Sequence, residues 1–308
     1  MRPKVSVVIP AYNHAEYVRE AVVSALYQTL APHEVIVVDD GSTDSTPAVL
    51  AKLAAQHPEV IVWRRPNRGA HDAINAGIHR STGELVSILN SDDVYEPARL
   101  ETLSALFRDD PELLCACSGV SWVDDAGRPF ANGWYEEGVR FRSAAEDVGV
   151  ALVHANTVVT TSNMVVRRSA FEALGWFAGL RYAHDLDFLL RVARRPGALR
   201  IVEQPLVRYR WHASNTLKEA PLRVRAECVL VICDHLAQLS AGGGERSLIP
   251  YLEPLRWQGL LEPVLLFLPH FTREPSVSLP PARYDAFMTG IVSMLDASAP
   301  GEQPPVGV

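Results

Sequence analysis

The chain has 308 residues, 48% of them hydrophobic and 21% charged, a balance that excludes a disordered protein and allows one large core with a smaller appendage. A net charge of -7 and a pI near 5.8 argue against nonspecific binding to nucleic acid, which requires a basic surface. Lysine occurs only at positions 4, 52 and 218, so the positive charge is almost all arginine. The four cysteines, Cys115, Cys117, Cys228 and Cys233, have neither a metal-site spacing nor a secreted disulfide framework, and read as buried thiols. The first residues lack the apolar stretch of a signal peptide. The longest apolar run, Leu260 to Leu268, is broken by Glu262 and Pro263 and falls short of the roughly 20 residues that cross a bilayer. A cytoplasmic protein is the expectation, with peripheral contact at the inner face of a membrane left open.

Val5 to Ile9 is a β-branched run without alternation, the pattern of a strand buried on both faces. It ends at Pro10-Ala11-Tyr12-Asn13, and Asn13 with Glu16 reads as the cap of a helix carrying Val18, Val22, Ala25 and Leu26. Glu34 to Val38 is a second buried strand that runs into Asp39-Asp40-Gly41-Ser42. A helix from about Ser45 to Gln56, a strand from Val60 to Trp63, the turn Asn67-Arg68-Gly69 and a helical stretch holding Asn75 and Gly77 follow. Leu85 to Leu89 is then a fourth strand, ending in Asn90-Ser91-Asp92-Asp93. Strands and helices alternating at this spacing predict a parallel, doubly wound sheet with right-handed crossovers.

The pattern changes after a helix from about Pro97 to Phe107. Leu113 to Val123 and the segment beyond Asp124-Asp125-Ala126-Gly127 read as strands joined by a turn, so a mixed sheet is expected. Residues 132–146 show no period and read as a mobile loop over the site. Val158 to Arg167 reads as a strand, and Ser169 as the cap of a short helix. Asp185-Leu186-Asp187-Phe188 opens an amphipathic helix in which, at 100° per residue, the two carboxylates point about 200° apart. Leu199 to Val202 and Leu206 to Trp211 read as closing strands. Helical periodicity resumes from Leu217, followed by a Gly242-Gly243-Gly244 linker, further helices and a Pro- and Gly-rich tail. The expected organisation is a domain over 1–215, a helical extension over 216–298 and a disordered tail over 299–308.

Asp92 and Asp93 stand where ligands bind in open α/β sheets, outside the carboxyl end of a strand, and suit a hard divalent cation or a ribose. The same residues also read as a turn and helix cap before Glu96-Pro97. A carboxylate at a helix start, as at Asp185, likewise reads as a cap and dipole partner.

The ordered set Pro10-Ala11-Tyr12-Asn13, Val37-Val38-Asp39-Asp40-Gly41-Ser42, Asn67-Arg68-Gly69, Asn75-Ala76-Gly77, Gly83-Glu84 and Asn90-Ser91-Asp92-Asp93 resembles family 2 glycosyltransferases of the GT-A fold. Ser169-Ala170-Phe171, His184-Asp185 and Tyr209-Arg210-Trp211-His212 resemble that family's second half, so the likeness runs from residue 4 to about 215. It implies a Rossmann-like, mainly parallel mixed sheet flanked by helices, with the C-terminal helices as an extension. It implies a nucleotide site made by Pro10, Tyr12, Asn13, Asp40, Arg68 and Asp92, with Tyr12 against the base and Asp40 accepting from a pyrimidine imide N–H. The donor would then be a UDP- or dTDP-sugar. Asp93, Asp92 and His212 would hold Mn²⁺ or Mg²⁺ across the diphosphate, and Asp185 would be the general base of an inverting transfer to an acceptor hydroxyl. The acceptor class, whether carbohydrate, lipid-linked or small molecule as in polysaccharide biosynthesis, has no transferable code. A homodimer through the C-terminal helices is a further expectation.

Two positions depart from the pattern. Many relatives have Asp where Asn90 stands, and Glu where His184 stands; His184 reads as a residue that tunes the base, binds acceptor or marks weakened catalysis. A Rossmann oxidoreductase is excluded by Pro10-Ala11-Tyr12-Asn13 in place of a Gly-x-Gly-x-x-Gly turn, and a P-loop phosphotransferase by the absence of Gly-Lys-Ser/Thr. A nucleotidyltransferase and a nucleotide-sugar-binding scaffold of the same fold are the competing readings.

Overall fold

The structure is a computed structural model that describes residues 3–241, 247–273 and 281–297. The triglycine linker and the tail from Ala299 lie outside the described residues. The chain forms two compact units, each assembled from separate stretches. The first comprises Met1–Ala131, Val158–Arg181 and Arg195–His212; the second comprises Asn132–Thr157, Tyr182–Arg194 and the chain from Ala213. This division does not fall at residue 215. The helices over 133–154 and 184–193 join the C-terminal helices because their apolar faces are covered there.

The first unit is built on one mixed sheet of nine strands: β1 (Val5–Ala11), β2 (Glu34–Asp39), β3 (Val60–Arg64), β4 (Leu85–Ile88), β5 (Val94–Tyr95), β6 (Cys115–Val123), β7 (Pro129–Phe130), β8 (Val165–Arg167) and β9 (Leu199–Arg210). The order is β3-β2-β1-β4-β8-β6-β9-β5, with β7 paired to β6. β3, β2, β1 and β4 are mutually parallel, in register through Val8 opposite both Ile36 and Ile88. β8 then pairs antiparallel with β4 and β6, and β6 runs parallel to β9. The central strands are covered on both faces, so Val5, Val7, Val8, Ile9 and Val35 to Val38 are all buried, each contributing roughly 1.5–3 kcal/mol.

Helices α1 (Val18–Leu26), α2 (Thr46–Gln56), α3 (Ala70–Arg80), α4 (Arg99–Asp109) and, beyond the second unit's first helices, α7 (Arg168–Leu174) complete this unit. α3 lies close on the sheet because Gly77 has no side chain: a Cβ there would come within 2.3 Å of Val8 Cγ1.

The second unit is helical: α5 (Gly133–Ala144), α6 (Val148–His154), α8 (His184–Ala193), α9 (Pro221–Ala241), α10 (Leu252–Trp257), α11 (Leu261–Arg273) and α12 (Pro281–Ala297). α9 is its axis, buried along Val224, Val229, Val231, Ile232 and Leu236, and α8, α11 and α12 pack on it. Among the described residues no helix is long and apolar enough to cross a membrane.

Several local expectations are corrected. Residues 133–144 form a helix rather than a loop, started by Asn132, whose side chain accepts the N–H of Tyr135. Asn13 does not cap α1, which starts from Tyr17; its backbone is left-handed at φ 53°, and its side chain turns to the loop after β2. Residues 158–167 contribute only three strand residues, preceded by a 3-10 turn over Thr161–Asn163. Ser169 lies inside its helix instead of capping it. The two expected closing strands are one 12-residue strand, β9, whose register with β6 shifts around Gly119.

Candidate active site

Parallel strands placed side by side bring their carboxyl ends to one edge, and the polar residues singled out in the sequence emerge there. The loops after β1 and β2 are tied to each other. Asn13 Oδ1 accepts the N–H of Thr43 at 2.8 Å, Ser42 Oγ accepts that of Asn13 at 3.0 Å, and Thr46 Oγ1 accepts that of His14 at 2.9 Å. Pro10 is buried in β1, while Tyr12 is 45% exposed beside this loop pair.

Asp40 organises the next turn. Its carboxylate accepts Arg65 Nε at 2.8 Å, the N–H of Gly69 at 2.8 Å and the N–H of Arg68 at 3.1 Å. Arg65 also donates to Asp72, on the first turn of α3. Only the backbone of Arg68 takes part in this turn; the residue itself is exposed. Gly41 sits at φ 81°, where a Cβ would meet the backbone N of Asn67 at 2.9 Å, so the two loops approach more closely than any side chain allows. Sequence reading missed Arg65, although an arginine following a strand that runs beside two aspartates was a usable signal.

At the end of β4 the two aspartates diverge. Asp93 is buried and turned inward: Oδ1 accepts the N–H of Arg210 at 3.0 Å, and Oδ2 accepts the hydroxyls of Ser162 at 2.6 Å and Thr160 at 3.3 Å. Asn90 engages the same turn through Thr160 Oγ1 and Ser162 Oγ. Asp93 thus ties β4 to β9 and to the segment before β8. Burial, then the charge of Asp92, pushes its carboxyl well above the usual range.

Asp92 faces His212 and His14. His212 Nε2 lies 3.0 Å from Asp92 Oδ2, and His14 Nδ1 lies 2.8 Å from Ser91 Oγ. One ligand atom from each of His14, Asp92 and His212 falls within 4.8 Å of the other two. Burial would raise the Asp92 carboxyl, but the His212 hydrogen bond and the two imidazoles outweigh it and hold the group below its ordinary value. The converging set therefore has His14 in the place the sequence reading gave to Asp93. Two imidazoles and a carboxylate fit a divalent transition ion such as Mn²⁺ better than Mg²⁺, which prefers all-oxygen shells.

In the second unit, Asp185 is the second residue of α8 and is 7% exposed. Asn156 Nδ2 donates to its Oδ2 at 2.9 Å. Burial pushes its carboxyl up to about 6, opposed by the N–H of Leu186 and by Asn156, with the charge of Glu227 adding to the rise. Asp187, turned away around the helix, is paired with Arg191 at 2.6 Å. His184, at the start of the same helix, is half-buried.

Comparison with known proteins gives a consistent family. Chondroitin synthase of Pasteurella multocida is 39% identical over 132 residues, which is 43% of this chain and only 14% of the synthase. An uncharacterized glycosyltransferase of Rickettsia prowazekii is 29% identical over 226 residues, 71% of this chain and 67% of that protein. Among solved structures, Staphylococcus aureus TarS 1-349 in complex with UDP-GlcNAc has 18% identity and a TM-score of 0.58, covering 96% of this chain and 92% of that one. The Pyrobaculum calidifontis mannosyltransferase PcManGT, in complex with GDP-Man and Mn²⁺, has 20% identity and a TM-score of 0.52, covering 96% and 81%. These two share the fold, which is of the GT-A type. Residues 6–175 match glycosyl transferase family 2, more than half of the chain and the stretch that carries Tyr12, Asp40, Arg68, Asp92 and Asp93, and the chain belongs to that family.

Proposed function

We propose that the protein is an inverting glycosyltransferase that moves a sugar from a UDP- or dTDP-sugar to an acceptor hydroxyl with the aid of a divalent cation. The observation that carries this reading is the convergence of His14, Asp92 and His212 at the carboxyl end of the sheet. Chondroitin synthase as a relative, and fold neighbours solved with UDP-GlcNAc, UDP or GDP-Man, support a nucleotide-sugar donor. The pyrimidine preference is argued from this chain's own Asp40 and Tyr12.

In this reading Asp92, His14 and His212 would hold a divalent cation, Mn²⁺ in preference to Mg²⁺, whose positive charge would offset that of a leaving diphosphate. Asp93 keeps the strand end in register through Ser162 and Arg210. Tyr12 lies against the nucleobase, Asp40 accepts its imide N–H, and Pro10, Asn13 and Arg68 line the nucleotide. Asp185 takes the proton of the acceptor hydroxyl, a contribution typically worth 10²- to 10⁴-fold. A carboxyl near 6 is ionised at neutral pH yet basic enough to accept that proton. His184 stands next to it as an acceptor contact or tuning residue.

The test is a donor screen by nucleoside diphosphate release with Mn²⁺ or Mg²⁺, followed by NMR assignment of the product anomer. Retention of the donor configuration would overturn the mechanism. Release of pyrophosphate instead of nucleoside diphosphate would favour a nucleotidyltransferase. Pairing of two copies through the C-terminal helices belongs to the same proposal. α11 exposes Leu265 and Leu266, and sedimentation velocity of the wild type beside a Leu265→Glu, Leu266→Glu variant tests it.

A further inference from the structure

The backbone just before Asp185 is held by a carboxylate from another helix. Glu227 lies fully buried on α9, and its Oε2 accepts two successive backbone N–H groups, those of Tyr182 at 2.7 Å and Ala183 at 2.9 Å. Its Oε1 accepts the hydroxyl of Tyr284, on α12, at 2.6 Å. α8 begins at His184, and its cap residue Ala183 has no side chain with which to cap. The cap position itself thus offers no carboxylate or hydroxyl, although Asp185 and Asp187 stand in the first turn. A negative group at that end is favoured by the helix dipole, and Glu227 adds one from 44 to 45 residues away.

We propose that Glu227 is a positioning residue for Asp185: by gripping the peptides of Tyr182 and Ala183, with Tyr284 fixing the carboxylate from α12, it sets the orientation in which α8 presents Asp185. This inference rests on the reading of Asp185 as the general base. Two successive N–H groups bound to one oxygen fix the peptide planes two and three residues before Asp185, so the helix start cannot swing without breaking both bonds. The C-terminal helices, which lie beyond the family match over residues 6–175, then form part of the catalytic device.

Electrostatics gives the arrangement a signature that simple packing would not have. Among the described residues, Asn156, which is neutral, and Glu227 and Cys228 on α9 act on Asp185. Cys228 is held protonated by burial and by the carboxylates of Asp185 and Glu227. The charge that Asp185 meets from α9 is therefore that of Glu227, and removing it should make Asp185 a weaker base.

The experiment uses the full chain as wild type, Glu227→Gln, Tyr284→Phe and Asp185→Asn. Amide exchange at Tyr182 and Ala183 is followed by mass spectrometry, the Asp185 carboxyl is titrated by ¹³C NMR, and UDP release from UDP-GlcNAc is measured with Mn²⁺. Glu227→Gln keeps the shape but weakens the acceptor; exchange at the two amides should rise about tenfold or more. The Asp185 midpoint should fall, and UDP release should slow with donor binding retained. Tyr284→Phe should raise the same exchange by less. Unchanged exchange in both variants, or an unmoved Asp185 midpoint in Glu227→Gln, would overturn the proposal. If Glu227→Gln does not fold, Tyr284→Phe decides alone: faster exchange at those two amides supports the grip, and wild-type exchange refutes it. Wild-type UDP release by Asp185→Asn would instead remove the base reading, an outcome separate from whatever the exchange shows.

Discussion

Asp185→Asn should stabilise the protein while abolishing most of its turnover. Asp185 is 7% exposed, and burial raises its carboxyl from an ordinary 3.8 to about 6. The native state therefore holds this proton more tightly than the unfolded chain does. The stabilising contribution of the protonated group is complete below 3.8 and is lost as pH rises through about 6. At 1.36 kcal/mol per pH unit, the ionised carboxylate costs the native state about 3 kcal/mol above pH 7. Asparagine carries no charge to bury, and its side-chain oxygen still accepts from Asn156. Urea unfolding of metal-free protein at pH 8 should show the variant more stable by up to about 3 kcal/mol, a midpoint shift of roughly 1 M. By pH 4.5, where the wild-type group is protonated in the native state, the advantage should shrink by about 2 kcal/mol. Turnover in the wild type should fall as pH drops below about 6, whereas the residual turnover of the variant should lose that limb. Equal midpoints at pH 8, or a difference independent of pH, would refute the reasoning from burial.

Other substitutions separate the roles assigned here. His14→Ala should weaken Mn²⁺ binding by about tenfold or more, read by calorimetry or Mn²⁺ electron paramagnetic resonance, because one of three converging ligands is lost; unchanged affinity would return the third position to Asp93. Asp187→Asn breaks a half-buried pair with Arg191 and should cost about 1–3 kcal/mol in urea unfolding with turnover largely retained. UDP should bind more tightly than CDP or ADP, with Asp40→Asn reducing the ratio, since in the proposed role Asp40 accepts an imide N–H that cytosine and adenine lack; equal affinities by titration would end the Asp40 role. Gly77→Ala should destabilise by about 1–3 kcal/mol despite the better helix former, because its Cβ would sit 2.3 Å from Val8 Cγ1; a raised thermal midpoint would show that α3 can move off the sheet.

The parallel half of the sheet was legible in the local pattern. Fully buried strands read as unbroken runs of Val and Ile, and the turn residues Gly41 and Gly69 mark where such runs reverse, so β1 to β4 and their helices are local in origin. Asp92, Asp93, Asp40 and Asp185 were visible as well, because acid next to an apolar run is a local signal. Which of them converge depends on packing between segments far apart in the chain. β1 lies beside β4 in the strand order although 74 residues separate Ala11 from Leu85, and that adjacency carries His14 to Asp92 while β9 carries His212. The same long-range packing turns Asp93 inward onto Ser162 and Arg210. It likewise lets Glu227 hold the peptides just before α8 from another element. No window of sequence contains both partners of these contacts, and side-chain orientation at a strand end follows from the neighbouring strand, so local pattern could name the residues but could not join them.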